Sequence, residues 1–246
     1  MRILITNDDG ISAPVLPKFV EWAKKLGSVT VVAPKYEQSG KSQAIDFNRE
    51  VEIKRVELSD GCEAYAMDST PADCVRFATI GLHRTYDIVF SGINRGYNLG
   101  HDIAYSGTVG AIMEAARTGL KAIAFSTDYN SSFDNALSEL DGVYDYIVSK
   151  DLLSTVGLLN VNIPPQKSRG ISITRQGGMF YSDEFVSRGN DMYIQVGAPI
   201  VSESKDLSVD INAILNGHIS ISPLTHVCTD LEAYDKLVHL NSRTSV

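Results

Sequence analysis

The chain begins Met1-Arg2-Ile3-Leu4-Ile5-Thr6-Asn7-Asp8-Asp9-Gly10, and this stretch decides the fold. Ile3 to Ile5 is a short apolar run of the kind buried on both faces of a parallel sheet. It stops at the acidic turn Asn7-Asp8-Asp9-Gly10. Leu16, Phe19, Val20, Ala23 and Leu26 then recur at helical spacing. Pro14 lies near the start of that helix and Gly27 just past its end. Val29-Thr30-Val31-Val32-Ala33, β-branched and halted by Pro34, is the next strand. Strand, loop, helix and strand in this order make a βαβ unit with a right-handed crossover.

The alternation continues outward. Thr70-Pro71-Ala72-Asp73 is a helix start, with Thr70 as N-cap, Pro71 in the first helical position and an acid in the third. Tyr86 to Phe90 reads as a strand. A helix from about Thr108 to Thr118 ends at Gly119, and Ala122 to Phe125 is another strand. Leu158 to Ile163 follows as a strand stopped by Pro164-Pro165. The pattern predicts an α/β fold, a doubly wound, mostly parallel sheet.

From about Gly177 to Lys205 the rhythm fails. Gly177-Gly178, Gly189-Asn190 and Gly197 punctuate Met192-Tyr193-Ile194-Gln195-Val196, the pattern of a β-hairpin arm that leaves the sheet. A helix near Ser208 to Asn216 and a strand at His218 to Ser222 bring the chain back. Thr229-Asp230-Leu231-Glu232 then opens a terminal helix as a capping box, with Leu231, Tyr234, Leu237 and Val238 on one face. The expectation is a single domain over 1–246. Its core is about 1–176 and 206–228, its arm about 177–205 and its terminal helix about 229–241.

Composition bounds the function. At 246 residues, 43% hydrophobic and 21% charged, the chain can bury an ample core without staples. A formal charge of -8 argues against binding a nucleic-acid duplex. Small anionic substrates stay open, because metal ions and backbone N–H groups reverse the local field. Cys62, Cys74 and Cys228 form neither a disulfide framework nor a thiolate zinc site, so a reducing cytoplasm fits. The acids at positions 8 and 9 interrupt any leader-like apolar region. No apolar run elsewhere is long enough for a bilayer, and no membrane partner is expected.

Functional loops of an open parallel sheet follow the carboxyl ends of its strands. Here they carry Asn7-Asp8-Asp9-Gly10, Gln38-Ser39-Gly40-Lys41 and the run from Ser91-Gly92-Ile93-Asn94 through Asn98 to Asp102. Adjacent Asp8 and Asp9 repel one another unless a cation joins them. Oxygen ligands without a His or Cys cluster favour Mg²⁺ or Mn²⁺, and Ser39 and Asn94 can complete the shell. Ser106-Gly107-Thr108, at a helix start, presents N–H groups and the positive dipole end to an anion. Asp8 and Asp9 are thus the candidate catalytic residues. Asn7, Gly40, Asn94, Asn98, Ser106, Gly107 and Thr108 are the candidate substrate contacts.

Rival readings weaken on inspection. The first loop is acidic where a dinucleotide fold needs Gly-x-Gly-x-x-Gly, and Walker A is absent. Asp8 as a phosphoaspartyl nucleophile stays open, although an Asp-x-Asp spacing is missing. So does a catalytic or merely polar role for His101.

These motifs together resemble the SurE family, the survival-protein nucleotidases. The matching residues run from Ile3 to Gly10, then Ala33-Pro34 with Gln38-Ser39-Gly40, and Thr70-Pro71-Ala72-Asp73-Cys74-Val75. Ser91-Gly92-Ile93-Asn94 with Gly96, Asn98 and Gly100, and Tyr105 to Ala111, belong to the same set. Asn160 to Pro164 and Ile219 to Leu224 follow. The resemblance implies a Rossmann-like domain with a projecting arm and a C-terminal segment used in forming a homodimer or homotetramer. It implies hydrolysis of nucleoside 5′- and 3′-monophosphates with one divalent metal ion on Asp8, Asp9, Ser39 and Asn94. Phosphate-binding surroundings fall on Gly40 and Ser106 to Thr108. Ser69 stands where the family usually has Gly, and Thr225-His226-Val227-Cys228-Thr229 lacks the family's usual acid. The rival from another class is a nucleotide-sensing protein that keeps the site without turnover. The apolar arm residues Met179, Phe180, Tyr181, Phe185, Met192, Tyr193 and Ile194, with the terminal helix, suggest a symmetric dimer with each arm crossing to its neighbour.

Overall fold

The computed structural model describes residues 1–58, 61–200 and 203–240. The chain order is β1 (Arg2–Thr6), α1 (Leu16–Lys24), β2 (Ser28–Pro34), β3 (Ile53–Val56), β4 (Glu63–Met67) and α2 (Pro71–Arg76). Next come β5 (Ile88–Arg95), α3 (Gly107–Arg117), β6 (Ala122–Thr127), α4 (Asp134–Ser149), α5 (Leu152–Val156), β7 (Leu158–Ile163) and β8 (Ile171–Ile173). The chain closes with β9 (Tyr181–Gly189), β10 (Met192–Pro199), α6 (Asp210–Leu215), β11 (Ile219–Leu224) and α7 (Leu231–Leu237).

One sheet runs β3-β4-β2-β1-β5-β6-β7-β11-β8. From β4 to β7 every pairing is parallel, and β3 on β4 and β11 on β7 are antiparallel. The alternation of β1 explains its unbroken apolar run. Ile3 and Ile5 enter one core layer with Phe19, Phe90 and Phe125, and Leu4 enters the other with Val32, Val89 and Ile112. Helices therefore cover both faces, and the strands have no water-facing side to carry polar residues. In the first layer the Phe19 and Trp22 rings stack at 5.5 Å, and Trp22 Nε1 donates to Asp141 of α4 at 2.8 Å.

The α/β fold and the hairpin match the sequence reading, and three details differ. The sequence reading lacks the strands β3, β4 and β8 and the helices α4 and α5. Helix α4 buries Ala136, Leu140, Val143 and Ile147, a helical spacing present in the sequence, and a parallel β6–β7 pair requires such a crossover. The terminal helix is capped one residue later than expected: Asp230, not Thr229, accepts the N–H of Ala233 at 2.9 Å. It ends at Leu237, followed by a 3₁₀ turn over Val238–Leu240, and the expected end at 241 lies outside the described residues. Among the described residues no helix is long and apolar enough to cross a membrane.

Candidate active site

The chain leaves β1 toward β2 and β4 on one side, while β5 leads to β6 and β7 on the other. The crevice outside β1 and β5 is therefore the topological switch point, where ligands bind in open α/β sheets. Backbone bonds stitch its loops together. Gln38 N–H donates to Asp8 O at 2.7 Å, Ile11 N–H to Pro34 O at 2.7 Å, and Ser42 N–H to Tyr105 O at 3.0 Å. Between them lies a cavity of about 590 Å³. Its floor includes Asp8, Ser39, Gly40, Asn94, Asn98 and Ser106.

Asp8 is 3% exposed. The Thr108 hydroxyl and its backbone N–H both donate to the Asp8 carboxylate, across 100 positions of sequence. Burial nevertheless dominates and pushes the Asp8 carboxyl above its ordinary range. Gly107 is required by this contact: a Cβ there would stand 2.9 Å from Asp8 Cβ and 3.2 Å from Gln38 O. Asp9 is pushed up to about 6, first by burial and then by the neighbouring Asp8 charge, against an N–H donated by Arg95. Glu37 adds further negative potential at both acids.

The neutral oxygens are arranged compatibly with a cation. Ser39 Oγ donates its proton to Glu37 Oε1 at 2.6 Å, which turns its lone pairs away from that carboxylate. Asn94 Nδ2 donates to Gly96 O at 2.8 Å, so the acceptor end of the amide is the one left for a ligand. Among the described residues no group of three or more His, Cys, Asp and Glu side chains is placed to hold a metal. An ion here would rest on two carboxylates and neutral oxygens, a donor set suited to hard cations.

Several predicted contacts turn out to hold the site rather than face it. Asn7 is fully buried, and its side-chain amide closes the loop onto Gly10, donating at 3.0 Å and accepting at 3.1 Å. Thr108 is fully buried and engaged by Asp8. Ser106 lines the cavity, but its hydroxyl caps α3 by accepting the N–H of Val109 at 3.0 Å. The anion bound at this helix start is thus Asp8 itself. Gly40, at φ 72 with open space around it, presents its backbone to the cavity. Asn98 lines the wall, clamped by Asn162, which accepts from its N–H at 2.9 Å and donates to its carbonyl at 2.8 Å. Asn160 donates to the same carbonyl.

The upper wall is built from Arg95, Tyr97, Asp102 and Tyr105, and from Tyr181, Asp183, Phe185 and Gln195 of the arm. It holds none of the predicted site residues, although Arg95, Tyr97 and Asp102 lie in the predicted functional loop. Tyr181 and Phe185, expected to meet a neighbouring protomer, line this chain's own cavity, and Phe180 is buried within the chain. His101 does not line the cavity; its N–H donates to Gly178 O at 2.9 Å and pins the arm's root.

Fold and site together define a class: a doubly wound α/β protein whose switch-point cavity holds a buried aspartate against a helix N-terminus, with a second aspartate next to it in the chain. The family model described as "Survival protein SurE" matches residues 3–183. The chain belongs to the SurE family. It is 37% identical to a 5'-nucleotidase SurE of Desulforudis audaxviator over 96% of each chain. It is 38% identical to a 5'-nucleotidase SurE of Thermoanaerobacter sp. over 98% of each. The crystal structure of the SurE protein from Aquifex aeolicus superposes with a TM-score of 0.81 at 30% identity, covering 98% of this chain and all of that one.

Proposed function

We propose that the protein is a divalent-metal-dependent phosphomonoesterase that hydrolyses nucleoside 5′- and 3′-monophosphates to nucleoside and phosphate. The observation that carries the reading is Asp8, buried in the floor of a cavity, with the half-buried Asp9 beside it in the chain, its carboxyl raised by burial and by the Asp8 charge. The names of the relatives, 5'-nucleotidases over nearly the whole chain, support the substrate class.

Charge supports the cation. Asp8, Asp102 and Asp183 line the cavity against Arg95, so a phosphate dianion meets a negative wall. Asp8, Asp9, Ser39 and Asn94 would hold one Mg²⁺ or Mn²⁺. Such an ion supplies charge neutralisation, polarises a phosphoryl oxygen and makes water a competent nucleophile at neutral pH. The reaction is displacement at phosphorus: the water oxygen bonds to phosphorus, the ester P–O bond breaks, and the nucleoside leaves as an alcohol. Thr108 fixes the Asp8 carboxylate, so the acid is oriented before substrate arrives. Gly40, Ser106 and Asn98 line the cavity, and the Gly40 N–H, the Ser106 hydroxyl and the Asn98 side-chain amide would take the phosphoryl oxygens as charge builds.

We further place the protein in the cytoplasm, as a homodimer or homotetramer. The exposed α7 stripe of Leu231, Tyr234 and Leu237 and the arm residues Met192, Tyr193 and Ile194 support self-association. The test of the chemistry is turnover of adenosine 5′-monophosphate by metal-free protein, before and after Mn²⁺ or Mg²⁺ is added. Activity should appear only with the ion. Undiminished activity after exhaustive chelation would remove the metal from the mechanism.

A further inference from the structure

The arm has two chemically different faces. Its strands pair Tyr181 with Pro199, Asp183 with Gly197, and Phe185 with Gln195. Side chains alternate along a strand, so Tyr181, Asp183 and Phe185 share one face, with Gln195 directly opposite Phe185. These four arm residues line the cavity above Asp8. The alternate positions, Glu184 and Val186 on β9 with Ile194 and Val196 on β10, belong to the other face.

The arm's root fixes which face looks down. Asp102, in the turn just before α3, accepts the N–H groups of Phe180 and Tyr181 at 3.0 and 2.9 Å. Asp210 accepts the N–H groups of Gly100 and Gly177, each at 2.8 Å. Phe180, 3% exposed, packs with Leu99, Ile211 and Ile214. The first residues of the arm are therefore held against the loop that leads into α3.

This roof is ill suited to phosphate. It carries no Lys or Arg, and Asp183 repels anions. It offers instead an aromatic ring that is 69% exposed at Phe185, a carboxylate acceptor and an amide that both donates and accepts. A nucleoside presents the complementary set: a flat π surface ringed by N–H, O–H and carbonyl groups. We infer that the inner face of the arm, Tyr181, Asp183, Phe185 and Gln195, recognises the nucleoside half of the substrate. The base stacks on Phe185, and Asp183 and Gln195 take the hydrogen bonds of its polar groups. This deepens the proposed phosphatase reading, on which the choice of substrate rests.

The experiment compares adenosine 5′-monophosphate with glycerol 2-phosphate, which has no base, and measures adenosine binding by calorimetry. Phe185→Ala should raise KM for adenosine 5′-monophosphate about ten-fold, the loss of one base-on-aromatic contact, with kcat kept. Its kcat/KM on glycerol 2-phosphate should stay unchanged, and adenosine affinity should fall in parallel. Phe185→Trp should restore both, and Glu184→Gln on the outer face should alter neither. Gln195→Ala gives a second inner-face variant with a smaller rise in KM. Unaltered KM and adenosine affinity in Phe185→Ala would overturn the proposal while leaving the phosphatase reading intact. Adenosine binding that depends on Phe185, in a protein that turns over neither ester, would uphold the roof and remove the phosphatase.

Discussion

The floor and the roof of the cavity are built on opposite principles. The floor is buried: Asp8 is 3% exposed and Thr108 fully covered, each held by partners far away in sequence. The roof is a two-stranded antiparallel arm whose inner aromatic, Phe185, is 69% exposed. A carboxylate in the floor is destabilising to the fold by itself, since burial and a like charge both resist ionisation. A ring on the roof has little packing to lose. The proposed function and the inferred role of the arm thus put chemistry where position is fixed at a cost in stability, and recognition where residues can change with little loss. Variants on the floor should separate activity from stability in one direction, and variants on the roof should touch neither fold nor catalytic step.

The largest effect is expected at the acids. Asp8→Asn and Asp9→Asn should each lower turnover by roughly three orders of magnitude, in line with removing a charge-positioning group. Their thermal midpoints should hold or rise, because the carboxylate repulsion is gone. A variant that loses activity only because it unfolds, seen by circular dichroism, would contradict the separation of roles.

Gly107→Val comes next. Its Cβ has no room beside Asp8 Cβ and Gln38 O, so the helix start and the acid must part. Turnover should fall about 100-fold from the misplaced acid, with roughly 1–3 kcal/mol of stability lost to overpacking. Equal activity in Gly107→Val and the parent would show that the α3–Asp8 contact is dispensable.

The pH dependence of stability tests the floor without turnover. Asp9 ionises at about 6 in the fold, above its ordinary 3.8, so between these values the native state binds more protons than the unfolded one. Stability of the metal-free protein should therefore fall as pH rises from about 4 through about 6, by at most roughly 3 kcal/mol from this group. Urea melts across that window measure the slope. Asp9→Asn should reduce it, leaving the part that the raised Asp8 carboxyl contributes, and added Mn²⁺ should raise stability at pH 7; an identical slope in the variant would assign the effect elsewhere.

The smallest effect on catalysis is expected on the outer face of the arm and on α7. Ile194→Ser with Leu237→Ser should leave the KM for adenosine 5′-monophosphate unchanged while shifting sedimentation toward smaller species. Parent protein that sediments as a monomer at micromolar concentration would leave these apolar side chains without the partner proposed for them.

The sequence by itself determined the elements whose information is local. The apolar run of Ile3 to Ile5, the β-branched run ending at Pro34 and the cap at Thr70 are each read from residues adjacent in the chain. The same holds for the acidic turn at Asp8-Asp9, because a strand end carrying two carboxylates is a local fact. Helix α4 is equally local, its buried face written in the spacing of Ala136, Leu140, Val143 and Ile147. Other features depended on the tertiary structure. Nothing near Thr108 in sequence says that its hydroxyl and N–H hold Asp8, or that Asn162 clamps the peptide of Asn98. Nor does alternation in the arm say which face looks at the acids, since period two distinguishes two faces without orienting them. That choice comes from Asp102 and Asp210 gripping the arm's root. Periodicity is fixed by neighbours along the chain, whereas a site is fixed by groups that only packing brings within hydrogen-bonding distance.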